Sequence, residues 1–218
     1  MATTLPTPTD RLQQARRAIE AFRRGAFVVV FDDESRENEG DLMVAAEYTD
    51  EAAMRYLLDH SSGVVCAAVP YERCDELGLP QMTDDNRGLH GTAFTVSVDL
   101  ITGGTTGIPV DERARTVQAL ADPAAKADHF ARPGHIFPVR AARGGVLERD
   151  GHTEAAVDLS RLAGLSGVTT MCEVVRPDWT MARLDDLRDL AERDSLVLIS
   201  VGDLVAYRQA AEDPARTP

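Results

Sequence analysis

Short apolar runs rich in β-branched residues alternate along this chain with segments whose apolar residues recur every three or four positions. This alternation predicts strands over 27–31, 42–46, 63–69, 94–98, 168–175 and 196–200. It predicts helices over 10–24, 50–58, 111–120, 154–163, 185–193 and 203–211, with Asp10 and Asp50 as N-terminal caps of the first two. The chain shows no internal repeat and no polar linker, so we expect a single α+β domain over residues 1–218 with a mixed β-sheet.

Two stretches fall outside these elements. Residues 1–9 are rich in Thr and Pro, and we expect them to fray as a flexible terminus. Residues 122–138 are rich in Pro, His and Gly and predict a long loop, of a kind that is usually functional.

The composition argues against several classes of protein. Acidic residues outnumber basic ones by 36 to 23, and the net charge of −13 disfavours nucleic acids and anionic membranes as partners. The first ten residues lack the apolar core of a signal peptide, and the apolar run 26–31 is far shorter than a membrane span. Three widely spaced cysteines predict reduced thiols and a cytoplasmic location. The known motifs for dinucleotides, nucleotide phosphates, serine nucleophiles and paired-cysteine metal sites are missing.

The segment 32–41, DDESRENEGD, carries six carboxylates between two predicted strands. Such a charge run can be an ordinary solvated loop. However, six crowded anions repel one another unless a proton or a cation relieves them, and Mg2+ or Mn2+ takes oxygen ligands. The spacing of a calcium-binding EF-hand loop is absent. Arg36 adds a donor for an anionic substrate, so the turn predicts a metal and substrate edge.

Two of the five histidines, His135 and His152, directly follow a glycine. The second lies in the segment 149–154, RDGHTE, immediately before a predicted helix. A helix N-terminus presents free N–H groups and a positive dipole, and Arg149 and Thr153 would add a cation and a hydroxyl donor there. This arrangement is typical of a phosphate site, although an ordinary helix capped by Thr153 would look the same.

Three further candidates remain open from the residues alone. Cys66 is more typical of a buried small residue than of a nucleophile. The Thr105-Thr106-Gly107 turn precedes a helix and suits either a phosphate contact or a plain turn. Glu173 lies inside an apolar strand, where it is either on a wet face or a desolvated acid or base.

Together these segments resemble one family, the 3,4-dihydroxy-2-butanone 4-phosphate synthases. The resemblance covers nearly the whole chain in order and is carried by DDESRENEGDLMVAAE (32–47), HSSGVVCAAVP (60–70), GTAFTVSVD (91–99), TTGIPVDERARTV (105–117), RPGHIFPVRA (132–141), GGVLERDGHTEAAVDLSRLAGL (144–165), CEVV…TMAR (172–183) and DLVAYR (203–208). The chain looks like the stand-alone form, without a following GTP cyclohydrolase II domain.

The resemblance implies a lyase of riboflavin biosynthesis that converts D-ribulose 5-phosphate into L-3,4-dihydroxy-2-butanone 4-phosphate and formate. It implies a single-domain α/β sandwich, with the sheet flanked by helices, and a homodimer with active sites at the subunit interface. It further implies Mg2+ or Mn2+, two ions per site, and no organic cofactor. By motif, Glu37 and His152 hold the metal and His135 and Glu173 are catalytic, while the substrate-binding residues are Arg36, Glu37, Asp41, Arg149, Asp150, Gly151, His152, Thr153 and Glu173.

The residues agree with the chemistry that the resemblance implies. A ketose phosphate has an acidic C3–H beside its C2 carbonyl, so a divalent ion on the oxygens and a carboxylate or imidazole base suit enediolate formation. In the family, dehydration, skeletal rearrangement and formate loss follow. Imidazole is a better ligand for metals softer than Mg2+, which leaves the metal open between Mg2+ and Mn2+.

The sequence departs from the family pattern at two places. Pro109 and Val110 replace Ser and Ala, Glu112 replaces Asp, and Trp179 stands where the family commonly has a glycine. Pro fits the start of a helix, but Trp does not suit a backbone with positive φ. These changes allow an alternative, a diverged paralogue that applies the same chemistry to another sugar phosphate. A third hypothesis, a silent metal- or phosphate-binding module, gives no reason to retain Glu37, His135, His152 and Glu173 together.

Overall fold

A computed structural model of the protein describes residues 8–212. Its helices are α1 (Pro8–Arg23), α2 (Glu51–His60), α3 (Tyr71–Glu76), α4 (Val110–Ala121), α5 (His152–Leu162), α6 (Leu184–Asp194) and α7 (Val201–Glu212). Its strands are β1 (Val28–Phe31), β2 (Gly40–Ala45), β3 (Cys66–Val69), β4 (Val98–Leu100), β5 (Phe130–Arg140), β6 (Thr169–Glu173) and β7 (Val197–Ser200). Three short 3-10 turns lie at Ala46–Tyr48, Ala127–His129 and Gly145–Leu147.

The seven strands in the described range form one sheet in the order β4-β5-β3-β6-β2-β1-β7. The pairs β1–β7 and β3–β5 are parallel, and the remaining neighbours are antiparallel. The mixed α+β sheet predicted from the sequence is therefore confirmed. All four central strands, β3, β6, β2 and β1, are almost wholly buried, as expected for a sheet with both faces covered.

Alternate residues of the central strands belong to two separate cores. Val28 and Val30 pack with α1, α5 and α7 on one face, whereas Val29 and Leu42 pack with α2, α4 and α6 on the other. This period of two is the pattern of a strand between two helical layers. Each fully buried side chain of this kind contributes about 1.5–3 kcal/mol. The sandwich that the family resemblance implies is thus present, with its sheet flanked by helices.

Most predicted helices and strands lie within two or three residues of the observed ones. Asp50 is a cap as predicted, because its side chain accepts a hydrogen bond from the Ala53 N–H at 2.8 Å. The first helix begins at Pro8, two residues before the predicted cap Asp10. Of the terminus predicted to fray, residues 1–7 lie outside the described residues, while Pro8 and Thr9 already belong to α1.

Two predictions around β5 are wrong. Most of the predicted loop 122–138 is strand, because β5 pairs with β4 through its first half and with β3 through its second half. The register shifts between Val98 and Asp99, so that residues 132–135 form a bulge, and a bulge tolerates the Pro and Gly that suggested a loop. The predicted strand 94–98 is reduced to isolated bridges at Phe94 and Thr95, and β4 begins only at Val98.

Candidate active site

The acidic turn between β1 and β2 is organised around Asp32, whose side chain is 1% exposed. Its Oδ2 accepts hydrogen bonds from the Glu37 N–H and from Nη1 of Arg36, and its Oδ1 accepts one from the Glu39 N–H, each at 2.9 Å. Since a buried carboxylate needs such donors, the chain wraps around this side chain. The turn is therefore an ordered structure and not a freely solvated loop.

Glu37 lies at the tip of this turn, and α5 brings His152 to it from the other end of the sequence. The Nδ1 atom of His152 lies 3.1 Å from Oε2 of Glu37. Arg36 completes the group, with Nη1 at 2.8 Å from the same carboxylate. The predicted metal ligands are thus side by side within one chain.

The electrostatics of this group are dominated by its carboxylates. The hydrogen bond from His152, helped by the charge of Arg36, outweighs burial and lowers the pKa of Glu37 to about 2. Burial alone would lower the pKa of His152, but the charges of Asp41 and Glu37 outweigh it and raise that pKa to about 9. Without a metal, a proton on the imidazole therefore balances part of the negative charge.

The same group satisfies the donor requirements of a divalent cation. One ligand atom each from Asp32, Glu37 and His152 lies within 4.8 Å of the other two. Adjacent ligands of an octahedral Mg2+ are about 3 Å apart, which matches the Glu37–His152 distance. Nδ1 is the ring nitrogen of His152 that faces Glu37, whereas the buried Nε2 has no hydrogen-bond partner in the described part of the chain. Asp32 already accepts three hydrogen bonds, so Glu37 and His152 are the better placed ligands.

A second acidic pair lies beside the first because of the sheet register. Asp41 on β2 is the direct partner of Glu173 at the end of β6. Burial is the main cause that raises the pKa of Asp41 to about 7, and the nearby charge of Glu173 adds to it. The hydroxyl of Ser62 donates to Oε2 of Glu173 at 2.8 Å and fixes this carboxylate. Glu173 is half-buried and faces the site, so its predicted role as an acid or base agrees with its position.

These groups line one cavity of about 330 Å3. It contains seven of the residues predicted from the sequence: Arg36, Glu37, Asp41, Arg149, His152, Thr153 and Glu173. A larger cavity of about 680 Å3 lies between Pro70, Gln118 and Val168, but its lining includes no predicted site residue. The side chains that line the smaller cavity, and not its volume, therefore identify it as the candidate site.

The predicted phosphate site at the start of α5 is capped differently from the alternative that the sequence allowed. Helix α5 begins at His152 with Gly151 as its cap residue, and no side chain caps it, so Thr153 is not the cap. Nη1 of Arg149 lies 2.6 Å from Oε2 of the buried Glu154, which holds the guanidinium beside the helix N-terminus. A Cβ atom on Gly151 would lie 2.2 Å from that Nη1 atom, so a larger residue there would displace the Arg149 guanidinium.

Three predicted residues do not line the cavity. Asp150 lines a separate groove, and Gly151 contributes backbone at the start of α5. His135 lies on the β5 bulge, where its Nδ1 is 2.7 Å from Oδ2 of Asp99 and its side chain is 44% exposed. The backbone N–H of His135 also donates to Oδ1 of Asp99 at 2.8 Å. A carboxylate thus orients an imidazole that faces solvent in this chain.

Sequence reasoning missed several residues of the cavity. Glu39 belongs to the acidic turn, and its carboxylate could have been assigned from that position alone. The others are His90, Thr92, Phe94, Val139 and Met171, which carry no local signal of a site. Cys66, left open between a nucleophile and a buried small residue, also lines the cavity. Cys66 is 3% exposed, and burial raises the pKa of its thiol well above the usual range. The interpretation of Cys66 as a buried small residue agrees with this environment.

The positions that depart from the family pattern lie outside the cavity. Glu112 accepts hydrogen bonds from the Thr105 hydroxyl at 2.6 Å and from the backbone N–H groups of Thr105 and Gly107 at 2.8 Å. It therefore holds the Thr105-Thr106-Gly107 turn against the start of α4. Pro109 occupies the N-cap position of this helix. Trp179 has a φ of +67° and is 74% exposed, so the turn keeps the glycine-like backbone despite the indole.

Comparison with known proteins agrees with this geometry. The family model described as 3,4-dihydroxy-2-butanone 4-phosphate synthase matches residues 16–207. A 3,4-dihydroxy-2-butanone 4-phosphate synthase of Nitratidesulfovibrio vulgaris (strain DP4) is 50% identical over 197 residues, covering 90% of this chain and 92% of that protein. The riboflavin biosynthesis protein RibBA of Phocaeicola vulgatus is 48% identical over 202 residues, and this chain spans 50% of its length.

A solved structure is similar over the same range. The crystal structure of a 3,4-dihydroxy-2-butanone 4-phosphate synthase in complex with two magnesium ions matches with a TM-score of 0.88 and 44% identity, covering 90% of this chain and 97% of that one. Between residues 8 and 212, none of the helices has the length and apolar character needed to cross a bilayer.

Proposed function

The chain belongs to the 3,4-dihydroxy-2-butanone 4-phosphate synthase family of lyases, and we propose that it converts D-ribulose 5-phosphate into L-3,4-dihydroxy-2-butanone 4-phosphate and formate. The observation that carries this proposal is the contact between Glu37 and His152 inside a cavity that also holds Asp41, Glu173 and Arg149. Riboflavin biosynthesis is the context of the family, and a cytoplasmic location stays a prediction.

Glu37 and His152 would hold Mg2+ or Mn2+, and we propose two ions per site because the similar solved structure contains two magnesium ions. When bound, a divalent ion supplies a Lewis acid for negative charge that develops on the substrate's carbonyl and hydroxyl oxygens. No organic cofactor is part of the proposal. Arg36 keeps the Glu37 carboxylate in place through the 2.8 Å ion pair between them.

The remaining side chains have separate tasks in this proposal. Arg149, Thr153 and the N–H groups at the start of α5 bind the phosphate, because a helix N-terminus attracts an anion. Glu173 exchanges protons with the sugar carbons at Oε1 or Oε2, and the Ser62 hydroxyl holds that carboxylate by a hydrogen bond to Oε2. Asp41 is buried beside Glu173, its direct partner on the neighbouring strand, and adds a second carboxyl group to this part of the site.

His135 requires a second copy of the chain in this proposal. It points to solvent beside Asp99 and does not line the cavity of its own chain. An isologous homodimer would place this imidazole at the cavity of the partner. Asp99 would then fix the ring orientation and leave Nε2 available for proton transfer at the substrate.

The test is formate release from D-ribulose 5-phosphate by the full chain, with Mg2+ and Mn2+ each supplied in turn. We expect formate and the four-carbon phosphate in equal amounts, and no formate in the presence of a chelator. Absence of formate with both metals would overturn the proposal.

A paralogue acting on another sugar phosphate is the second candidate, because Pro109 and Trp179 depart from the family. Neither residue lines the cavity, which favours the first candidate. A panel of pentose and hexose phosphates separates the two, since the paralogue requires a kcat/KM for another sugar phosphate that exceeds the value for D-ribulose 5-phosphate.

A further inference from the structure

The start of α6 packs directly against the far side of the acidic turn. A Cβ atom on Gly40 would lie 2.3 Å from Cδ1 of Leu187, so the backbone of the turn's end touches this helix. Leu187 is itself buried in the core between the sheet and α6. The turn that carries Glu37 therefore packs against a helix that lies almost 150 positions later in the chain.

Arg183 is the N-cap residue immediately before α6, and its side chain is directed at the turn. Its Nη1 donates to the carbonyl oxygen of Glu37 at 3.3 Å and to the carbonyl oxygen of Asn38. Asn38 has a φ of +54°. This left-handed conformation is less favourable than the usual backbone conformations and persists where surrounding contacts hold it. The guanidinium thus fixes the two peptide groups that follow the Glu37 side chain.

Arg183 is itself held in place. Its backbone N–H donates to Oδ2 of Asp186 at 2.8 Å, and the same carboxylate is bound by Nε of Arg176 at 2.9 Å. These contacts fix the direction from which Arg183 approaches the turn. Asp32 binds the turn from its inner side, so the backbone around Glu37 is held from both sides.

We propose that Arg183 is a positioning residue, which acts through the Glu37–Asn38 peptide groups to direct the Glu37 carboxylate at His152. The inference rests on the proposed metal site at Glu37 and His152. Groups that orient a metal ligand typically change metal affinity by 10- to 100-fold when they are removed. A lysine at this position keeps a cationic donor for the carbonyls, whereas a methionine has a similar length and no donor.

The first test measures Mn2+ binding to the metal-free full chain by electron paramagnetic resonance. We expect the Kd for Mn2+ to be about 10-fold higher in Arg183→Met than in the wild type. Arg183→Lys should bind Mn2+ with a Kd close to the wild-type value. Arg188→Met is the matched control, because Arg188 lines a groove that also contains Arg183 and, among residues 8–212, pairs only with the exposed Asp185. The control should bind Mn2+ like the wild type.

The second test needs no metal. Hydrogen exchange of peptides covering residues 32–39 should be faster in metal-free Arg183→Met than in the wild type and in Arg188→Met. A wild-type Kd and wild-type exchange in Arg183→Met would overturn the inference. If instead the wild type binds Mn2+ no better than Glu37→Gln does, the proposed metal site itself fails, and the two failures are distinguishable.

Discussion

The Nδ1 atom of His152 lies 3.1 Å from Oε2 of Glu37, although 115 positions separate the two residues in the chain. One residue lies at the tip of the turn after β1, and the other begins α5. A single chain thus brings together a carboxylate oxygen and an imidazole nitrogen, the two groups that we propose as ligands of a divalent ion.

Replacing Glu37 by Gln should weaken metal binding while it preserves the shape of the turn. The neutral amide oxygen is a poorer ligand for a hard dication, so we expect the Kd for Mn2+ to rise at least about 10-fold. Formate release should fall by about 100-fold or more. Calorimetry and a formate assay measure the two effects. Glu34→Gln, in the same turn but outside the cavity, is the control and should retain both properties.

Two inactive variants should restore activity when mixed if His135 serves the partner's cavity. A mixed dimer of His135→Ala and His152→Ala has one site with both histidines intact and one site with neither. Random pairing of equal amounts then gives about one quarter of the wild-type formate release. The measurement is activity after unfolding and refolding the two chains together. If His135 acted within its own chain, every site would be defective and the mixture would stay inactive.

The carboxylate of Glu112 should make stability depend on acid pH. Hydrogen bonds from Thr105 lower its pKa from 4.5 to about 2, so the ionised group stabilises the native state at pH values above 4.5. This contribution is lost as the pH falls from 4.5 through about 2. We therefore expect Glu112→Gln to have a lower urea midpoint than the wild type at pH 6 and a smaller difference at pH 3.

The control for Glu112 is Glu51→Gln, which removes one partner of an exposed pair with Arg55 on α2. Surface pairs of this kind contribute little, so its urea midpoint should stay near the wild-type value at both pH values. A difference between Glu112→Gln and the wild type that does not shrink from pH 6 to pH 3 would contradict the prediction.

Trp179→Gly should stabilise the protein. The Trp179 backbone has a φ of +67° while its indole is largely exposed, so the side chain gives little burial in return for the strained conformation. Glycine adopts this conformation without steric cost, and we expect a gain of about 1 kcal/mol in the free energy of unfolding. Urea denaturation measures it. Trp179→Ala keeps the Cβ atom and should gain much less, so equal gains in both variants would refute the strain argument.

Local sequence was sufficient for most of the elements and for the chemical types in the site. The unbroken apolar run around Val28, Val29 and Val30 predicted a buried strand, and its division between two cores follows because side chains alternate along any strand. Asp50 was identifiable as a cap, because a cap bonds only to residues a few positions away. The carboxylates of the acidic turn and the Gly-His pair before α5 were likewise evident as residue types.

The errors arose where a long-range pairing overrode a local signal. Pro133 and Gly134 suggested a loop, but β5 pairs with a different neighbour on each side of its bulge and is strand throughout. A Cβ atom on Gly134 would lie 2.0 Å from the backbone of Val98, so this glycine serves a close approach that only the fold reveals.

The sequence by itself determined which groups are available: a turn crowded with carboxylates, a helix start with Arg149 and Thr153, and two histidines after glycines. Only the tertiary structure decided which of them meet. It joined Glu37 to His152, paired Asp41 with Glu173 across two strands, and directed His135 away to Asp99. The physical reason is that residue chemistry and local periodicity act within a few positions, whereas strand order and register set the distances between segments far apart in the chain.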